Sequence, residues 1–145
     1  MRLANLAAPD FDHASEREGY VWRGAQIGDA IGSAQIGGSV YELPDGQKTY
    51  PFHFHHGTEE WLIVIAGSPV LRSPEGERTL RSGDVVCFPT GPDGAHQIWG
   101  PGTVLVLSAN RTPETVEYPD SGKVGTRPPR KLFRAADAVD YWDGE

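Results

Sequence analysis

A single cysteine, Cys87, stands among 145 residues, so no intrachain disulfide can form and nothing in the sequence asks for an oxidising compartment. Long apolar runs are missing as well. The longest, Trp61 to Ala66, is far too short to cross a bilayer, and the N-terminal stretch carries no apolar segment of the secretory kind. Positive charge is in short supply, with 13 Lys and Arg against 20 Asp and Glu and a formal net charge of −7. Nucleic acid is bound largely by neutralising phosphates with cations, so this balance speaks against it. The one basic cluster, Arg127, Arg130, Lys131 and Arg134, contains two prolines and is followed by Asp137 and Asp140. It reads as a solvated surface segment rather than a phosphate-binding patch. The expectation is a cytoplasmic protein with neither a membrane nor a nucleic-acid partner. Cys87, inside Val85-Val86-Cys87-Phe88, reads as a buried small hydrophobe.

What the chain has in quantity is turn chemistry. Its 18 glycines and 12 prolines punctuate short runs of β-branched and aromatic residues, the pattern of an all-β sandwich or barrel. Strands are expected over 34–43, 49–55, 60–66, 69–72, 77–80, 84–88, 96–99, 103–108 and 114–118, with turns such as Pro44-Asp45-Gly46 and Gly100-Pro101-Gly102 between them. Two runs, Trp61–Ala66 and Val104–Leu107, are apolar at every position. A strand covered on both faces gives that pattern, and we read it as a hint of a homodimer. Residues 1–33 form an arm or an extra strand in this reading, residues 34–118 the barrel, and residues 119–145 a loop and tail packing on it. Within that tail, Pro119 to Pro129 reads as loop and Leu132 to Trp142 as a short helix or an extended segment. Phosphate-loop and Gly-x-Ser-x-Gly motifs are absent from the sequence.

The stretch richest in chemistry runs from Pro51 to Trp61. Residues i and i+2 of a strand point to one face, so His53 and His55 present two imidazoles side by side, while His56 points away. After the turn at Gly57 the chain re-enters a strand at Glu59-Glu60, and a hairpin brings one of these carboxylates beside the pair. His96, which opens a strand after the turn Gly91 to Gly94, is the candidate for a further ligand. Three imidazoles and one carboxylate can hold a divalent ion with one or two positions left open.

These motifs resemble the cupin family. Gly46, six residues, His53-Phe54-His55, four residues, Glu60, six residues and Gly67 follow its first motif, with one residue more than usual after the first glycine. Gly83, Pro89, Gly91 and His96 follow the second, with a turn two residues longer, and Gly100 stands where the family has Asn. The spacing to Gly67 favours Glu60 over Glu59 as the ligand. The resemblance implies a single-domain, all-β fold, the double-stranded β-helix or jelly-roll barrel. It implies one divalent metal ion per chain (Fe, Mn, Zn, Ni or Cu) on His53, His55, Glu60 and His96. The function it suggests is a metal-dependent enzyme acting on a small polar organic substrate, an oxidoreductase of the dioxygenase kind first. A decarboxylase, a sugar isomerase or epimerase, and a non-catalytic small-molecule-binding barrel are the alternatives. No catalytic acid or base stands out in the sequence.

Overall fold

Alternation along the strand Ile36–Leu43 shows how these residues become a barrel wall: Tyr41 and Leu43 point into one apolar cluster, and Val40, one residue before Tyr41, points into another. The computed structural model describes residues 1–145. Its elements are β1 (His13–Arg17), β2 (Tyr20–Gln26), the one-turn helix α1 (Ile27–Ile31), β3 (Ile36–Leu43), β4 (Phe54–His55), β5 (Glu60–Gly67) and β6 (Val70–Ser73). There follow β7 (Gly76–Thr79), β8 (Val85–Phe88), β9 (Gln97–Trp99), β10 (Gly102–Ala109), β11 (Glu114–Tyr118), β12 (Lys123–Arg127) and β13 (Lys131–Arg134). The sheets run β1-β2-β3-β10-β5-β8, β13-β12-β11-β4 and β7-β6-β9. The fold is a jelly-roll β-barrel, and no helix is long and apolar enough to cross a membrane.

The interior is filled by Tyr41, Leu43, Leu62, Val64, Leu71, Leu80, Phe88, Ile98 and Val104. Leu62 and Val104 are fully buried, each worth roughly 1.5–3 kcal/mol of transfer free energy. Strand β10 is apolar on both faces for a reason that lies in the same chain. Val104 and Val106 face the interior, while Leu105 and Leu107 lie outside against Ala25 and Val40, under Phe11 and Ile27. The N-terminal residues thus supply a second cover, and they add a full hairpin, β1–β2, to the edge of β3.

Three expectations are corrected. Residues 49–55 are not one strand: only Phe54 and His55 pair in a ladder, with single bridges at Lys48 and His53, because Pro51 has no N–H to give. The region 119–129 is not all loop, since Lys123–Arg127 form β12; of the two readings of 132–142, the extended one holds for Leu132–Arg134, and a single 3-10 turn follows at Ala135–Asp137. Strands β12 and β13 form a hairpin there, with Pro128 and Pro129 between them. Cys87 is exposed. A run apolar at every position does not reveal which face is inside; Val86 and Phe88 turn inward, and β8 is a sheet edge whose outer face stays open.

Candidate functional site

Pairing registers bring the histidines together. His53 and His96 exchange both backbone hydrogen bonds, at 3.2 and 2.9 Å, which sets their rings side by side with centroids 4.7 Å apart. The long turn before His96 closes as a 3-10 turn over Pro92–Gly94. A Cβ on Gly94 would stand 1.8 Å from the Pro89 carbonyl oxygen, so this turn needs glycine. The His96 ring then stacks on Phe88 at 3.8 Å.

Each of these two rings is pinned through one nitrogen. His53 Nδ1 lies 2.8 Å from the Pro51 carbonyl and His96 Nδ1 lies 2.9 Å from that of Gly94. A carbonyl only accepts, so Nδ1 carries the hydrogen and Nε2 offers a lone pair to the interior. Glu60 Oε2 is 3.4 Å from His96 Nε2 and 3.4 Å from His55 Nε2. The donor atoms of His53, Glu60 and His96 fall within 4.8 Å of one another, and His55 meets that triad at Glu60. Two ligand atoms each about 2.1 Å from one ion, at a near-tetrahedral angle, stand roughly 3.4 Å apart. The spacing therefore fits a shared divalent ion, and so does the donor set. Glu59 faces away and accepts a hydrogen bond from Trp61 Nε1. His56 turns outward to Glu117, 2.7 Å away.

Electrostatics favour the protonation states an ion needs. Burial, with the fields of His96 and His55, lowers the His53 pKa to about 4, and burial lowers that of His96. Burial works against ionisation of Glu60, yet contacts with His55 and Ser108 hold its carboxyl down to about 2. A stability prediction follows for the metal-free chain. His53 takes up a proton near pH 6.5 when unfolded but only near pH 4 when folded. Its contribution is fully present above about pH 6.5 and declines as the pH falls towards 4, by on the order of 2–3 kcal/mol. Urea unfolding at pH 7 and pH 4.5 in the presence of a chelator checks this; an unchanged midpoint, or an equal drop in His53→Gln, contradicts it.

Sequence reasoning missed a buried carboxylate. Glu114, 2% exposed, accepts hydrogen bonds from the Gly57 and Thr115 N–H groups and from the Thr58 hydroxyl. Burial would raise its pKa, but Thr58 and these amides hold it below the usual carboxylate range. Glu114 Oε1 is 3.9 Å from His55 Nδ1, which is buried and has no hydrogen-bond partner. No local signal marks Glu114, because the β4–β11 pairing that delivers it joins residues some 60 positions apart. On the open side, Tyr41 and Tyr50 share a hydrogen bond of 2.9 Å, and the Tyr50 ring lies 6.5 Å from that of His53. Burial and the neighbouring Tyr41 push the Tyr50 phenol well above its ordinary value, so it stays a hydrogen-bond donor. Among other polar residues, Gln97 is buried and donates to the Tyr50 carbonyl, Arg72 pairs with Asp120, and Gln35 is exposed.

The fold and the cluster together define a class of protein, a jelly-roll barrel with histidines and a glutamate gathered on its inner wall. The chain belongs to the cupin superfamily, its residues 39–109 matching the family model described as the cupin domain. Among solved structures it is similar over nearly its whole length to a "putative sugar phosphate isomerase" from Acidithiobacillus ferrooxidans. That likeness has 25% identity and a TM-score of 0.82, covering 93% of this chain and 91% of the other. A sugar phosphate isomerase from Silicibacter pomeroyi gives 24% identity and a TM-score of 0.81 over 97% and 98% of the two chains. The polyketide cyclase RemF from Streptomyces resistomycificus, at 19% identity, a TM-score of 0.58 and coverage of 79% and 83%, shares the fold alone. No curated protein sequence matches the chain.

Proposed function

We propose that the barrel is a metal-dependent enzyme that isomerises a small hydroxy-carbonyl compound, a phosphorylated sugar being the substrate class that best fits. The observation that carries the reading is the convergence of His53 Nε2, His96 Nε2 and Glu60 Oε2, with two imidazoles oriented by backbone carbonyls. His53, His55, Glu60 and His96 would hold one divalent ion per chain. Such an ion polarises a carbonyl or hydroxyl oxygen of the substrate. Tyr50 and Tyr41 hold hydroxyl protons beside the site and can orient a polar substrate. The full-length likeness to the Acidithiobacillus protein supports an isomerase ahead of the dioxygenase or decarboxylase expected from the ligand set.

Elemental analysis of protein purified without added metal should find about one divalent ion per chain. Proton exchange at the carbon next to the carbonyl of aldose and ketose phosphates, followed by NMR in deuterated water, tests the isomerase. Oxygen uptake without such exchange favours the dioxygenase, and tight ligand binding with neither favours a binding protein. The homodimer belongs to the same proposal, supported now by the exposed Trp61 and Val85 on β5 and β8 rather than by β10, with a solution mass twice that of one chain as the expected result.

Glu114 is a positioning residue in this reading. It faces His55 Nδ1 from 3.9 Å and acts on that ring through its charge, while Nε2 faces Glu60. Outer partners of this kind typically contribute 10–100-fold in metal affinity, and Glu114→Gln is expected to weaken binding by about that factor. Competition against a chromophoric chelator measures it; an unchanged affinity removes Glu114 from the site.

A further inference from the structure

The β4–β11 pairing sets His55 opposite Val116 and Phe54 opposite Glu117, and the same register continued sets His53 opposite Tyr118. Their rings stack with centroids 5.9 Å apart and planes 24° from parallel. Tyr118 in turn pairs with Lys123, and Lys123 with Arg134. Directly opposite residues share a face, so one row crosses the sheet from His96 through His53 and Tyr118 to Lys123 and Arg134. Lys123 Nζ lies 5.3 Å from the Tyr118 ring centroid, and a Cβ on Gly125 would meet both Leu132 and Tyr118, which places these side chains on that same face.

Two cations directly opposite each other repel and destabilise the strand pair unless an anion lies between them. No carboxylate of the chain does so. The arginine ion pairs are Arg23–Glu42, Arg72–Asp120 and Arg81–Asp84, none of them on β12 or β13. Of the nearby acids, Glu117 is engaged with His56, Asp120 with Arg72 and Glu114 with Thr58. In a chain with a net charge of −7, an unrelieved cation pair beside the one histidine cluster runs against the overall field. The charge of Arg130, at the hairpin turn, also reaches the Tyr50 hydroxyl.

We propose that Lys123 and Arg134 bind the anionic end of a substrate whose reacting end lies at His53 and His96, and that this end is a phosphate monoester. Two adjacent cations match a group carrying close to two negative charges better than they match a single carboxylate. At about 4.8 Å per strand, the Lys123 backbone is roughly 10 Å across the sheet from that of His53. A phosphorylated polyol of several carbons spans that distance. The proposal rests on the metal-enzyme reading above for the reacting end, but not for the anion.

The test is a titration of the isotope-labelled, chelator-treated full chain with inorganic phosphate, glycerol 3-phosphate, acetate and glycerol, followed by amide NMR shifts. Saturable shifts centred on residues 118–134 are expected with the two phosphates, weaker ones with acetate, and none with glycerol. Lys123→Gln/Arg134→Gln should weaken phosphate binding roughly tenfold. Arg78→Gln, on exposed β7, should leave it unchanged. Absence of saturable binding, an undiminished affinity in the double variant, or an equal loss in Arg78→Gln overturns the proposal. His53→Ala should keep phosphate binding while losing metal, so failure of the metal reading would be seen separately.

Discussion

Replacing His53 and His96 together by alanine is expected to lower divalent-metal affinity by roughly 10⁴-fold. Apparent binding free energies of four-ligand structural zinc sites run to about 10–16 kcal/mol at pH 7, or about 3 kcal/mol per ligand, and here two ligands go at once. These two are chosen because both rings are locked by Nδ1–carbonyl hydrogen bonds and by their mutual backbone pairing, so no neighbouring imidazole can swing into their place. Metal content after dialysis and competition with a chelator are the measurements. Unfolding in the presence of a chelator guards against a trivial cause: variant and parent must both fold cooperatively without metal. Wild-type occupancy in a folded double variant would remove the metal site, and with it the proposed reaction, leaving only the barrel.

The second large effect concerns a position far from any ligand. Gly100→Ala is expected to destabilise the fold by about 4 kcal/mol or more, because the cause is backbone against backbone. A Cβ there would stand 2.1 Å from the Pro44 carbonyl oxygen and 2.4 Å from that of Leu43. Those carbonyls are fixed by the crossing of the Pro44–Lys48 loop with the end of β9, where Gly100 donates to the Gln47 carbonyl and accepts from the Gly46 N–H. Nothing in the crossing can move without breaking these bonds. Gly46→Ala, two residues along the same loop, is the control: its φ of +67° disfavours a side chain, but no atom lies within 4 Å, so the loss should be only about 1 kcal/mol. Equal midpoints for the two variants in urea unfolding would contradict the steric account. The same geometry explains the departure from the family pattern at this position, since an Asn would meet the same two carbonyls.

The deletion of charge at Glu114 and the acid sensitivity of the metal-free chain test weaker links of the same site. They separate the role of the carboxylate behind His55 from the role of burial around His53. Both concern groups whose environment comes from distant strands.

The local sequence was enough for the period-2 histidines, the glycine and proline turns and the absence of long apolar or cationic runs, because each of these depends on neighbours a few residues away. That His53 and His55 share one face of a strand follows from backbone geometry alone. Pairing between distant segments decided the rest. The direct bridge from His53 to His96, the delivery of Glu114 behind His55, the burial of β10 beneath the N-terminal residues and the alignment of Lys123 with Arg134 all arise from registers closed across long loops. A cysteine in an all-apolar run came out exposed for the same reason: which face of a strand meets solvent depends on what else the chain lays against it, and no short window of residues contains that partner.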